Sequence, residues 1–344
     1  MTEAMRRLGI VHPIVQGPFG GGLSTERLAA TVSNLGGLGS YGAHNLAPDD
    51  IGRVVRGIRD LTAKPFAMNL WVSDHDPGGE TITPDDYERA ARALEPYFRE
   101  LGVELPPAPP ATIGYRFADQ VEALLAAAPP VFSFVFGIPA KPILDECRRR
   151  DIRTIGAATS IAEARALDEA GIDLIVASGF EAGGHRPAFL GRAEDSLMGT
   201  LALVPLVADR VKAPVIAAGG IADRRGVVAV QALGAQAAQL GTAFLACEES
   251  GAPHVHRELL FSERSQATTL TRAFTGRLAR GLTNRWTREV TALLPFPAQS
   301  WFMAQLRPAA LAANATDLMS LWSGQIAPNL RHRNATALFA ALVD

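Results

Sequence analysis

The sequence is poor in cysteine and has no excess of charge of either sign. Its 344 residues include only two cysteines, Cys147 and Cys247, too few for a disulfide scaffold or a cysteine-based metal cluster. Lys and Arg number 33 against 35 Asp and Glu, which argues against a nucleic-acid-binding surface built on bulk basicity. So few cysteines fit a reducing compartment, and we expect a cytoplasmic protein.

Long apolar runs are also missing. The first residues, MTEAMRRLGIVHP, hold no apolar stretch of the kind a signal peptide needs, and no run approaches the ~20 residues of a membrane span. With 48% hydrophobic and 20% charged residues, the composition is that of an ordinary globular protein. We therefore expect neither nucleic acid nor a membrane as a partner.

What the chain does contain is a repeated unit: an apolar strand, a glycine-containing turn and an amphipathic helix. Runs such as FSFVFG and LIVASG are apolar on both faces, as in a parallel sheet covered on both sides. Eight such strands predict an α/β fold, the (β/α)8 TIM barrel. The predicted strands span residues 14–19, 38–41, 66–72, 131–136, 154–158, 174–177, 215–218 and 237–240.

Two segments break this repeat. Residues 73–112 form an insertion after strand 3, with a polar cluster (DHDPGGE), a helix beginning near Thr83 and a proline-rich stretch (PPAPP). After about Cys247 the strand signals stop, and the rest is typical of helices and loops. We divide the chain into a barrel domain, residues 1–250 with the excursion 73–112, and a C-terminal helical cap, residues 251–344, that helps to bind substrate.

Glycines follow the seventh and eighth predicted strands. Gly219 and Gly220 end the run AAGG, and Gly241 with Thr242 follows the eighth strand. In a (β/α)8 barrel these two loops commonly hold a phosphate, because glycine N–H groups can approach an anion with no Cβ in the way. Such glycines also serve tight turns whatever binds there. Two such loops after consecutive strands, the seventh and the eighth, nevertheless predict a phosphate-binding site.

A histidine follows the sixth predicted strand. In SGFEAGGHR, glycines precede His185, the side chain type best suited to proton transfer near neutral pH. A lone histidine is more often structural than catalytic, but the carboxyl end of a barrel strand favours the catalytic interpretation. We find no metal-ligand spacing and no G-x-S-x-G motif. The difficult chemistry should therefore belong to a phosphate-bearing cofactor.

Together these motifs resemble those of the FMN-dependent nitronate monooxygenases, formerly called 2-nitropropane dioxygenases. The resemblance runs through PIVQGPFGGG, SNLGGLGSYGA, KPFAMNLWV and SFVFGIP, is strongest in ASGFEAGGHRP and PVIAAGGIADRRGVVAVQALGAQAAQLGTAFLACEES, and resumes at FTGRLARGLTNRW and LWSGQ. It implies FMN as the cofactor and oxidation of alkyl nitronates by O2 to carbonyl compounds and nitrite. It leaves open whether neutral nitroalkanes are also substrates and whether the chain forms a homodimer.

The resemblance also implies roles for residues at the matching motif positions. His185 would be the catalytic residue, deprotonating a nitroalkane or holding the anionic nitronate beside the flavin. Val135, Trp322 and Gln325 would contact the substrate. The residues that would bind FMN are Gln16, Gly17, Asn69, Ser178, Gly183, Gly219, Gly220, Gln239, Leu240, Gly241 and Thr242.

Three positions depart from the family pattern. Gly17 stands where many relatives have the alanine of QAP, and Ser178 stands where many have glutamine. Val135 replaces the polar residue of SFHFG. An apolar side chain at the exit of strand 4 favours a bulkier or more apolar substrate than a short nitroalkane, or a different substrate.

Other functions use the same scaffold. An NAD(P)H-dependent quinone or enoyl reductase would share these motifs, and NADH oxidation would identify it. An inosine-monophosphate-dehydrogenase-like enzyme would need a loop cysteine where this chain has His185, and the late His-x-Gly-Arg pair of a hydroxy-acid oxidase is missing. The non-enzymatic alternative is a sensor that binds a flavin or a nucleotide without turnover. A bound flavin that no reductant or nitronate bleaches would favour the sensor.

Overall fold

The structure, a computed structural model, describes residues 1–73, 82–110, 112–291 and 294–344, and its centre is a barrel of eight parallel strands. The barrel strands are β1 (Ile14–Gln16), β2 (Gly39–Gly42), β3 (Phe66–Trp71), β4 (Val131–Val135), β5 (Arg153–Ala158), β6 (Leu174–Ser178), β8 (Val215–Ala218) and β9 (Ala237–Leu240). They are hydrogen-bonded in the order β1-β9-β8-β6-β5-β4-β3-β2. A parallel bridge between Val15 and Leu38 joins β1 to β2, so the sheet closes.

The eight predicted strands are confirmed, most of them within one residue at each end. The largest difference is β1, which ends at Gln16 and not at residue 19. The chain leaves the sheet there because Pro18 has no N–H to donate, and because Gly21 and Gly22 have φ of +65° and +83°, the left-handed region that favours glycine.

Helices alternate with the barrel strands and continue after them. They are α1 (Glu3–Leu8), α2 (Glu26–Asn34), α3 (Pro48–Leu61), α4 (Pro84–Glu100), α5 (Phe117–Ala127), α6 (Lys141–Arg149), α7 (Ile161–Glu169), α8 (Thr200–Ala208), α9 (Arg224–Ala232), α10 (Thr242–Leu245), α11 (His254–Leu260), α12 (Arg285–Glu289), α13 (Ala298–Ala312) and α14 (Ala335–Val343). None of the helices in the described part of the chain is long and apolar enough to cross a membrane.

The start of α7 shows how local sequence sets these boundaries. The Ser160 hydroxyl accepts a hydrogen bond from the Glu163 N–H at 3.2 Å, as an N-cap does. The Glu163 carboxylate, however, accepts from the Thr159 N–H at 2.7 Å and from the Phe189 N–H. Glu163 is therefore buried at a junction between the β5 exit and the loop that follows His185, instead of closing a reciprocal capping box.

The barrel has a packed interior and one open end. Interior side chains such as Val176 and Ile216 form one cluster with Met5 and Leu8 of α1. Helix α1 therefore closes the end of the barrel where the strands begin. The carboxyl ends of the strands remain the face on which a ligand site can form.

The insertion and the C-terminal segment pack on each other. Helix α4 begins next to Thr83, as predicted, with the Thr83 hydroxyl accepting from the Asp86 N–H at 3.1 Å. Its apolar side chains share a second hydrophobic core with Trp286 of α12 and Phe302 of α13. Phe98 meets Phe302 edge to face, with 6.1 Å between ring centroids. The predicted polar cluster DHDPGGE lies outside the described residues.

The C-terminal segment holds the predicted helices and also two strands that the sequence did not predict. Strands β10 (Thr268–Thr271) and β11 (Ala279–Leu282) form an antiparallel sheet with the short β7 (Gly184–His185), in the order β10-β11-β7. Strands as short and polar as TTLT carry no apolar run that would mark them. The last helix, α14, returns to the barrel and packs against α2 and α9. The domain division at residue 250 stays a prediction.

Candidate active site

A large cavity opens at the carboxyl ends of the barrel strands. Its volume is about 1000 Å³, at the upper end of the range for ligand pockets. Its walls come from the loops after most of the barrel strands, from residues 112–118, at the end of the insertion and the start of α5, and from residues 322–324 of the C-terminal segment. The barrel thus places the catalytic candidate and the glycine loops around one space.

The loop after β8 is shaped by two glycines. Gly219 and Gly220 have φ of +105° and +71°, which other residues adopt only with strain. A Cβ on Gly219 would lie 3.0 Å from the Thr200 hydroxyl. The Thr200 hydroxyl and the Thr200 backbone N–H both donate hydrogen bonds to the Glu181 carboxylate, at 3.0 and 2.9 Å. The loop is therefore held in a shape that exposes backbone to the cavity.

The loop after β9 presents a bare α-carbon to the same cavity. A Cβ on Gly241 would meet only a Phe19 ring carbon, at 3.9 Å, so the space next to Gly241 is open. The neighbouring Thr242 hydroxyl accepts from the Gly324 N–H at 2.9 Å, which ties this loop to the C-terminal segment. Glycine loops from two adjacent strands thus form a cradle in which backbone N–H groups can approach an anion, and it fits a phosphate.

Most of the predicted cofactor-binding residues are brought together in this cavity. The Asn69 side chain donates to the Ser133 hydroxyl at 3.0 Å. A Cβ on Gly183 would lie 2.5 Å from the Gly324 nitrogen, so this glycine lets the C-terminal segment pass close to the loop. The predicted residues that line the cavity are Gly17, Asn69, Ser178, Gly183, Gly219, Gly220, Gln239, Gly241 and Thr242, with His185, Val135 and Trp322.

Three predicted site residues are not brought to the cavity wall. Gln16 is fully buried, and its amide accepts from the Ser40 N–H at 2.8 Å and donates to the Gly17 carbonyl. The Leu240 side chain lies in the core, while its carbonyl accepts from the Gly17 N–H at 2.9 Å. Gln325 is exposed, and its N–H donates to the Glu181 carbonyl. Their predicted contacts with a ligand stay predictions, and in the structure all three support loops.

His185 is held by a hydrogen bond and surrounded by rings. Its Nε2 lies 2.8 Å from the hydroxyl oxygen of Thr275. The ring centroids of Trp71 and Trp322 lie 4.8 and 5.1 Å from that of His185. Pairing of β7 with β11 places His185 opposite Ala279 and so fixes the backbone on which the imidazole stands.

The hydrogen bonds of Thr275 indicate which imidazole nitrogen carries the proton. The Thr275 hydroxyl oxygen accepts from the Arg277 N–H at 3.3 Å, while its contact to the Arg277 carbonyl is 3.5 Å long. We assign the hydroxyl proton to the shorter contact, toward His185 Nε2. Neutral His185 then carries its own proton on Nδ1, which has no hydrogen-bond partner among the described residues. Nδ1–H is the donor that His185 can offer to a ligand.

The environment keeps His185 uncharged. Burial lowers its pKa to about 3, and the nearby His44 and Arg277 act in the same direction. Burial also lowers the pKa of His44 to about 3. The His44 ring stacks on Trp71 with 3.8 Å between centroids. Both histidines are therefore neutral imidazoles at neutral pH.

The rest of the wall near His185 is aromatic. Phe136 follows β4 with φ of +67°, and its ring lies 3.7 Å from the Arg277 guanidinium carbon. Phe296 lies 5.5 Å from Trp71. Sequence reasoning missed these rings and missed Thr275. The family-like segments SFVFGIP and FTGRLARGLTNRW contain Phe136 and Thr275, but nothing in their local pattern indicated that they meet at His185.

The whole chain is similar in sequence to known proteins. The sequence model of the nitronate monooxygenase family matches residues 2–343. The chain belongs to the nitronate monooxygenase family. A probable nitronate monooxygenase of Staphylococcus saprophyticus is 36% identical over 348 residues, which cover 99% of this chain and 96% of the relative. The resemblance seen in the motifs is thereby confirmed, and the chain is an oxidoreductase.

Solved structures give the same result for the fold. A nitroalkane oxidase from Streptomyces ansochromogenes is 37% identical, with a TM-score of 0.90 over 99% of this chain and 96% of its own. FabK from Thermotoga maritima is 29% identical, with a TM-score of 0.76 over 100% of this chain and 95% of its own. The predicted (β/α)8 barrel is confirmed.

Proposed function

We propose that this enzyme binds FMN in the cavity and oxidises alkyl nitronates with O2 to carbonyl compounds and nitrite. The observation that carries the proposal is the position of neutral His185, bonded to Thr275, in the same cavity as the glycine cradle. Membership of the nitronate monooxygenase family and likeness to a nitroalkane oxidase support it.

The residues present fit FMN. Gly219, Gly220 and Gly241 would hold its phosphate through backbone N–H groups, with Thr242 beside them, and Asn69 would face the flavin ring. The cradle is formed by two adjacent loops, and no G-x-G-x-x-G motif follows the first strand, which favours a mononucleotide over a dinucleotide. FMN, when bound, supplies the redox chemistry by accepting electrons from the nitronate and passing them to O2.

His185 would position the substrate. A nitronate is a planar anion, and the Nδ1–H of a neutral imidazole can donate a hydrogen bond to one of its oxygens. The rings of Trp71, Phe136 and Trp322 lie around it, and a hydrogen bond is stronger beside such apolar surfaces than in water. His185 would thus hold the nitronate anion beside the cofactor while itself staying uncharged.

The low pKa of His185 favours nitronates over neutral nitroalkanes. A nitroalkane must lose a proton from carbon before it can react, and a general base works best when its pKa is near the working pH. With a pKa of about 3, His185 is a weak base. A preformed nitronate needs no base, so we propose the nitronate as the substrate.

An aerobic assay tests the proposal. The purified protein should release FMN on denaturation, consume O2 when ethylnitronate is added, and form nitrite and acetaldehyde in proportion. Nitroethane at the same concentration should react much more slowly. NADH with a quinone or an enoyl thioester forms the second arm. Turnover in that arm only, with no nitrite from any nitronate, would contradict the proposal and identify a reductase.

A further inference from the structure

A second cavity lies behind Trp322, outside the site described above. Its volume is about 200 Å³. Most of its wall is apolar, formed by Leu23, Pro253, Met303, Leu311, Leu318 and Met319. The residues that line both this cavity and the large one are Gly21, Leu23, Arg307 and Trp322. We call it the side cavity, and one shared wall separates it from the active site.

Trp322 connects this wall to the catalytic histidine. Its ring lies 5.1 Å from the His185 ring, and its carbonyl accepts a hydrogen bond from His256 Nε2 at 2.9 Å. An antiparallel bridge to Gly281 holds the same residue on β11. Trp322 therefore borders both His185 and the side cavity, so the tail of a ligand whose polar end contacts His185 would have to pass this residue to enter the side cavity.

The side cavity offers little to a polar ligand. Burial lowers the pKa of His256 to about 4, so this imidazole is neutral, and its Nε2 is already bonded to Trp322. Among the residues described in the lining, Arg307 carries the one full charge, and its guanidinium donates a hydrogen bond to the Gly21 carbonyl at 3.3 Å. An apolar cavity of this size takes up apolar groups readily.

We propose that the side cavity binds the apolar tail of the substrate, so that the preferred substrates are nitronates with extended, unbranched alkyl chains. This rests on the proposed function, because the anionic head must lie beside His185. Burial of each methylene group from water should tighten binding by up to about fourfold. The gain should stop at the chain length that fills the cavity.

Calorimetric titration with unbranched alkanoates tests the subsite without turnover. A carboxylate is a planar anion like a nitronate but cannot be oxidised here, so the series from ethanoate to octanoate measures the effect of tail length on Kd. We expect Kd to fall by about twofold to fourfold per added methylene and then level off. The KM values of the corresponding alkyl nitronates should follow the same series. A Kd that does not depend on chain length would overturn the proposal.

Two variants that fill the side cavity make the test specific. Leu311→Trp and Ser320→Phe each add bulk at its lining, and Leu61→Trp adds the same bulk as the first at a half-exposed leucine that ends α3 and lines neither cavity. The two filling variants should lose the dependence on chain length and keep the Kd of propanoate, while Leu61→Trp should keep both.

Two outcomes would overturn the subsite. One is an unchanged length dependence in both filling variants. The other is a raised KM for O2 with every nitronate at constant length dependence, which would identify the side cavity as an oxygen passage. A failure to oxidise any nitronate contradicts the proposed function instead, because the alkanoate titration does not require turnover.

Discussion

His185 and Thr275 are 90 residues apart in sequence and joined by a contact of 2.8 Å between Nε2 and the hydroxyl oxygen. The pairing of β7 with β11 brings them together, because His185 lies opposite Ala279 and Thr275 lies in the turn that precedes that strand. The contact assigns the proton of neutral His185 to Nδ1. If His185 acts in the reaction as proposed, Thr275 is a positioning residue that acts through it.

The first prediction concerns this hydroxyl. Thr275→Val keeps the shape of the side chain and removes the hydrogen bond, so the imidazole can turn and take the other tautomer. We expect kcat/KM for ethylnitronate to fall about tenfold, the usual value of one hydrogen bond, with FMN content unchanged. Thr275→Ser should recover most of the loss. Equal activity of the two variants would show that the hydroxyl has no role in the reaction.

The second prediction concerns pH. Because the pKa of His185 is about 3, its charge does not change near neutrality. The kcat/KM for a preformed nitronate should then show no inflection at the ordinary histidine pKa of 6.5. An NMR titration of His185 should find a neutral ring throughout the same range. An inflection near 6.5 that disappears in His185→Asn would contradict this assignment.

The third prediction separates the two roles that His185 can have. His185→Asn keeps a hydrogen-bond donor of similar reach and has no titratable group. If His185 only positions the anion, nitronate oxidation should fall by about tenfold or less, and nitroalkane oxidation by the same factor. Steady-state kinetics with ethylnitronate and nitroethane check this. A loss of ~10²-fold or more confined to nitroethane would make His185 a general base after all.

The fourth prediction tests the phosphate cradle. A Cβ on Gly241 meets protein only at 3.9 Å, so Gly241→Ala should fold normally, and any loss of FMN affinity comes from the ligand side. Gly241→Asp adds a carboxylate beside the phosphate and should abolish FMN retention. Gly191→Asp, where a Cβ has open space, is the control. Full FMN content in Gly241→Asp after gel filtration would show that the phosphate lies elsewhere.

The fifth prediction concerns acid stability. The pKa of buried His256 is about 4, below the 6.5 of an unfolded chain, so the unfolded state binds its proton first as pH falls. Neutral His256 therefore contributes to the free energy of unfolding fully above pH 6.5, and this contribution is lost as the pH falls toward 4. From about pH 7 to pH 5 it should cost about 2 kcal/mol of unfolding free energy. Urea unfolding of His256→Gln should show a correspondingly smaller acid sensitivity, and an equal sensitivity would contradict the assignment.

Much of the barrel could be predicted because its signals are local. The barrel strands are short apolar runs, the helices between them have legible ends, such as Ser160 before α7 and Gly171 after it, and a βα repeat has few possible arrangements. The glycines at 219–220 and 241 could be located for the same reason, since their place follows from strand order. Nine of the predicted cofactor-binding residues accordingly line one cavity.

The remaining features depend on contacts between distant segments. The stack of His44 on Trp71, the hydroxyl of Thr275 and the C-terminal segment that crosses Gly183 are set by tertiary packing, which no periodicity within a window reveals. Gln16 shows how packing can engage a residue that the sequence offers as a ligand, and its predicted contact with FMN stays a prediction. An amide at a strand end is a good ligand candidate from sequence alone, but here the backbones of Ser40 and Gly17 use both ends of it.

Anaerobic mixing of the purified holoprotein with ethylnitronate and, separately, with NADH tests whether a flavin in this cavity takes electrons from nitronates. We predict that the nitronate changes the flavin absorbance rapidly, that NADH does not do so on the same time scale, and that admission of air restores the oxidised spectrum. A flavin that NADH reduces and ethylnitronate leaves unchanged would contradict the account.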